Sequence, residues 1–325
     1  YWLSFPGPVG LKMDKEALKE MVVYGGRSTI FNMINYAAGK VDTIIVAKFS
    51  SDWKLTGFYD RSSYLMGLPV TVLGKLGDSV LFSGMSMLQS DKDRLKSTVL
   101  KASHAISTLV IPLTSLLVLR AKNFTILILG EQYSDAAPIV GVLFLCVALR
   151  SFIKIGDASM RATDSLSVGA LIKLGFLAAV CYGVWDVMSS NSTDFSGFYH
   201  AAAAVVAATA LQAVAVGVWI WLGLKVNIFK LIKSIIPGLI LCIPVLAADY
   251  ILSHQLLTEI INWSSGLLSE IDQIIQIGLH ILIAGLSTLL LALIIPEFLD
   301  GGFPEMRKKL ASKLPNSFIS KRLSR

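Results

Sequence analysis

Long apolar runs alternate with short polar connections along the chain. Eight runs stand out, at roughly 21–47, 62–88, 103–121, 136–160, 166–188, 199–224, 235–253 and 273–296. Each is at or near the ~20 residues that carry a helix across the hydrocarbon core, and the longer ones can tilt. A backbone in lipid must satisfy its own hydrogen bonds, so such runs predict an all-α polytopic transmembrane helix bundle of about eight spans. Residues 1–20 then form a cytoplasmic juxtamembrane segment, 21–296 the bundle, and 297–325 a basic cytoplasmic tail.

The polar residues inside these runs are not scattered. In 136–161, Arg150, Lys154, Asp157 and Arg161 follow one another at spacings of 4, 3 and 4, which stacks them on one helix face. A charge at the bilayer centre costs roughly 3 kcal/mol on the insertion scale, while each Leu, Ile, Phe or Val returns only about 0.3–0.6. A lipid-facing stripe would largely cancel the hydrophobicity of its own span, so the stripe faces protein or water. Two uses are open to it. One is a cationic cavity that receives an anionic headgroup. The other is ion pairing between helices, with Asp157 also able to reach Lys154 and Arg161 on its own helix and Arg161 able to snorkel.

The first two runs carry similar seams. Ser28, Asn32, Asn35, Gly39 and Asp42 share a face of 21–47, with Lys40 beside it and Arg27 near its start. Inter-helix hydrogen bonding by Asn32 and Asn35 would account for that polar seam, with Asp42 the stronger candidate for function. In 62–88 the face of Asp60, Tyr64, Gly67, Thr71, Gly74 and Asp78 lies near Lys75, three residues before Asp78, and Pro69 is expected to bend the helix. The later runs are nearly neutral. Lys173 is an isolated charge placed to snorkel, and His280 reads as a packing histidine. Residues 255–272, with Trp263, form an amphipathic pattern suited to the outer surface. A pathway is expected where the polar faces of the first, second and fourth spans converge.

Composition narrows the class. With 54% hydrophobic and 16% charged residues and a mean hydropathy of +0.67, the chain is too apolar for an ordinary soluble fold. Its net charge of +7 follows topology: eighteen Lys and Arg fall on one set of connections and five on the other, which puts both termini in the cytoplasm. Nucleic acid needs no place as a partner. Cys146, Cys181 and Cys242 lie in apolar runs without metal-ligand spacing, and no metal site is expected. The opening YWLSFPGPVG lacks a signal-peptide pattern and reads as the interior of a longer protein.

Several motifs occur in order over about 140 residues: N-x-x-x-x-x-x-D-x-x-I-V ending beyond Asp42, G-x-Y/F-x-R-x-x-x-L-x-x-L-P through Arg61 and Pro69, L-Q-x-D-x-x-R-L at 88–95, and G-E-Q-Y-x-x-A-x-P at 130–138. In these the chain resembles the C-terminal portion of polysaccharide transporters, the lipid-linked oligosaccharide flippases of the multidrug/oligosaccharidyl-lipid/polysaccharide exporter superfamily. The resemblance implies half of a two-bundle transporter in a bacterial inner membrane. It implies no enzyme activity and no cofactor, but export of a polyprenyl-pyrophosphate-linked oligosaccharide for O-antigen, exopolysaccharide or capsule by alternating access. The headgroup residues so implied are Arg150, Lys154, Arg161 and Lys75. Coupling to a proton or Na⁺ gradient would fall to Asp42, Asp78 or Asp157. Membrane lipid and glycan polymerase or export proteins are the further partners implied. Two alternatives remain: a cation-coupled antiporter of multidrugs or small solutes in the same superfamily, and a membrane-embedded glycan polymerase or ligase. The first favours an acidic, aromatic-lined cavity; the second needs a sizeable external loop with paired carboxylates or an Arg/His cluster.

Overall fold

The computed structural model describes residues 15–50, 52–86, 91–191, 195–254 and 278. The described residues are helical, with no strand among them. In order they form α1 (Lys15–Ala38), α2 (Val41–Phe49), α3 (Trp53–Ser86), α4 (Lys92–Leu119), α5 (Ala121–Leu129), a 3₁₀ turn (Glu131–Ala136), α6 (Ala137–Ala162), α7 (Leu166–Asn191), α8 (Phe195–Leu222) and α9 (Ile228–His254). Among the described residues, five stretches are long and apolar enough to cross a membrane: α4, the 3₁₀ turn with α6, α7, α8 and α9. The eighth apolar run, the 255–272 segment, His280 and the basic tail lie outside the described residues.

Local chemistry sets the boundaries. Asp91 caps α4 by accepting from the Arg94 amide at 3.1 Å, which satisfies one of the amides a helix start leaves over. Gly130 ends α5 at φ +95°, where a side chain would be strained, and Pro138 stands in the first turn of α6, where its missing N–H costs nothing. Between α6 and α7 the chain turns in three residues through Asp164 at φ 52°, a conformation Asp tolerates better than most.

The expected continuous span over 21–47 is two helices. The Gly39 amide reaches back to both Asn35 and Tyr36 carbonyls at 3.1 Å, Lys40 bonds Ala37, and the helix restarts as α2. Glycine is a poor helix former and tightens into this three-residue pitch readily. By contrast α3 runs through Pro69 as one helix of 34 residues.

Helix α6 is the hub, packing against α3, α4 and α8. Its buried face, from Ile139 and Leu143 through Val147 to Ile155, joins both apolar clusters of the core. Gly156 is the close crossing with α8, since a Cβ there would collide with Val216. At one end of the bundle a pocket of about 790 Å³ gathers Lys54 at the start of α3, Leu119 at the end of α4, Pro138 of α6 and Phe195 of α8. These helices therefore cross in alternate directions. At the same end Arg120 pairs with Asp249 of α9 at 2.7 Å, and Lys48 lies 4.7 Å above the Trp185 ring.

Candidate functional site

A cavity of about 320 Å³ opens against the striped face of α6. Arg150, Lys154 and Asp157 line it, because residues three and four apart share a helix face. The other walls bring Asn35 and Gly39 from α1, Thr71 and Gly74 from α3, Lys173 and Phe176 from α7, and Gln212 from α8. Lys154 crosses toward α3 at Gly74, where an added Cβ would stand 3.6 Å from the Lys154 Cε.

Lys173 is the residue that sequence reasoning misplaced. Far from snorkelling, it is 2% exposed, and its Nζ donates to Asp157 Oδ2 and to Asn35 Oδ1, each at 2.9 Å. The same ammonium stands 4.7 Å from the centre of the Phe31 ring. An isolated ammonium in this setting would cost several kcal/mol, so its burial depends on the carboxylate and amide that meet it. The pair ties α6 to α7, and Asn35 adds α1. No periodicity within α7 could reveal this, because Lys173 is the lone cation of that helix and both partners belong to other helices.

The other expected site residues separate. Arg161 is half-buried with its guanidinium carbon 5.5 Å from the Phe31 ring centre, and it is not among the residues lining the cavity. Asn35 lines the cavity and accepts from Lys173, whereas Asn32, one turn earlier, is not among the residues lining it. Asp42 leaves the seam altogether, because the break at Gly39–Lys40 changes the helix that carries it. Its buried carboxylate accepts from the Tyr59 hydroxyl at 3.2 Å, with the Arg150 charge acting on both groups. The side chains of Lys75 and Asp78 lie outside the described residues. Among the described residues no cluster of His, Cys, Asp or Glu could hold a metal ion.

Chemically, the cavity carries three cationic side chains and one carboxylate, with neutral amide donors from Gln212 and Asn35. Such a set suits an anion with several oxygen acceptors.

Residues 1–138 match a family described as "Polysaccharide biosynthesis protein". An "Uncharacterized membrane protein in cps region" of Klebsiella pneumoniae is 27% identical over 203 residues, 59% of this chain and 42% of that protein. The "Lipopolysaccharide biosynthesis protein WzxC" of Escherichia coli K12 is 22% identical over 142 residues, 44% of this chain and 29% of that protein. The match to each of these relatives thus spans less than half the relative's length. The family match covers α1 to α5, and the cationic positions of α6 and α7 lie beyond it.

Proposed function

We propose that this chain, similar over residues 1–138 to a family of polysaccharide biosynthesis proteins, forms part of an inner-membrane flippase. The cargo is a polyprenyl-pyrophosphate-linked oligosaccharide, exported for O-antigen, exopolysaccharide or capsule. The carrying observation is the cavity beside α6, where Arg150, Lys154 and Lys173 face a space with Asp157 as its carboxylate. Its volume of about 320 Å³ is at the small end for ligand sites, about right for a diphosphate and too small for a sugar chain. In this reading the cavity grips the headgroup while the glycan occupies space outside it.

Fixed cations beside a hydrated space serve this task because they offset the cost of drawing a phosphate charge into the membrane. The cavity is walled by several helices rather than built into one, so rocking of helices around it gives alternating access. The chain acts as a transporter rather than an enzyme, with no chemistry performed on the cargo.

The test uses the whole protein in cells. Arg150→Ala and Lys154→Ala are expected to abolish delivery of lipid-linked sugar to the outer face with the amount of protein in the membrane unchanged. Export at the wild-type rate by both variants would overturn the cavity's role.

A further inference from the structure

Asp157 has two sets of partners available to it. Across the bundle it holds Lys173 at 2.9 Å. Along its own helix, Lys154 lies at i−3 and Arg161 at i+4, the spacings at which helical side chains meet. The first pairing fastens α6 to α7 and, through Asn35 on the same ammonium, to α1. A pairing within α6 fastens nothing to anything else.

We propose that Asp157 is an internal stand-in for the ligand, holding the Lys173 ammonium until a diphosphate enters the cavity, takes that ammonium over and releases α7 and α1 from α6. Both members of the pair line the cavity, next to Arg150 and Lys154. A diphosphate there carries more charge and more acceptor oxygens than a single carboxylate, so it competes for the ammonium on favourable terms. The displaced carboxylate stays in the field of the cations of its own helix, Lys154 at i−3 and Arg161 at i+4, which offsets the cost of leaving it buried. One side chain thus has two discrete arrangements, one that ties three helices and one that does not, which is what a switch between bundle states requires. This inference rests on the headgroup reading above and assigns Lys173 as the innermost cation of that site.

The experiment measures inorganic pyrophosphate binding by calorimetry to the whole protein in phosphatidylcholine nanodiscs. Asp157→Asn removes the competing charge and keeps the shape, so affinity is expected to rise about tenfold; Lys173→Met should lose about tenfold or more. A purely structural tie would not produce tighter binding on loss of the carboxylate. If Arg150→Ala and Lys154→Ala lose binding while Asp157→Asn leaves affinity unchanged or lower, the headgroup reading stands and the exchange is overturned. If the wild type and Asp157→Asn both bind no pyrophosphate, both fail. Should Lys173→Met not accumulate, Lys173→Arg, which keeps the charge, is expected to retain binding, and a folded Asp157→Asn decides the matter alone. Phosphatidylglycerol added to the discs separates the sources: unchanged affinity supports a diphosphate site, whereas competition by that lipid assigns the cavity to ordinary membrane phosphodiesters and overturns the proposal.

Discussion

Two cavities lie against α6 at similar depth, and their linings differ almost completely. On one side Arg150, Lys154 and Asp157 face a space of about 320 Å³; on the other Leu149 and Phe152 face one of about 460 Å³ enclosed by α4, α6, α8 and α9. Only helical phase separates the two sets, since neighbouring residues are turned about 100° from each other. Between the cavities α6 and α8 meet closely where Gly156 faces Val216. What distinguishes them is what the neighbours offer. The helices opposite the charged face supply Asn35, Thr71, Lys173 and Gln212. The helices opposite the apolar face supply aliphatic side chains and the hydroxyls of Ser103 and Ser107, the latter bonded to the Ser234 carbonyl at 2.6 Å. Charge in this bundle survives where several helices answer it.

The strongest way to break the contrast is to remove the answer on the polar side. Asp157→Ala leaves the Lys173 ammonium buried without its carboxylate and is expected to cost about 3–5 kcal/mol. Combining Asp157→Ala with Lys173→Met in one chain should restore much of that loss, as thermal unfolding in detergent would register; no recovery would mean that the two groups do not depend on each other. Next in size is a charge placed on the wrong side. Leu149→Asp faces the apolar cavity and is expected to lower the amount of folded protein in the membrane by a cost of about 3 kcal/mol, whereas Lys154→Leu on the opposite face keeps the protein folded and loses export. Equal amounts of Leu149→Asp and wild type in the membrane would show that the apolar side accommodates charge as well. The smallest effect lies behind the polar wall. Tyr59→Phe removes the hydroxyl that meets Asp42 and should cost about 1 kcal/mol, read as a small fall in melting temperature.

The all-helical membrane class and the charged face of α6 are legible in the chain, since both depend on local periodicity and on the cost of moving charge into hydrocarbon. Arg150, Lys154 and Asp157 fall on one face in any straight helix, whatever surrounds it. The partner of Asp157 was not legible in that way. Lys173 stands 16 residues away in a neutral run, and the same sequence admits either a snorkelling lysine or a buried one. The first seam was legible only in part, because its spacing presumes an unbroken helix and Gly39 interrupts it, carrying Asp42 to Tyr59 while Asn35 remains at the cavity.

By itself, then, the sequence determined which positions could not face lipid, because that follows from transfer free energy and helical geometry residue by residue. Only the tertiary structure decided which of them meet: α1, α3, α7 and α8 converge on α6, and the choice of partner for a buried charge is made between helices, where no spacing along one of them can specify it.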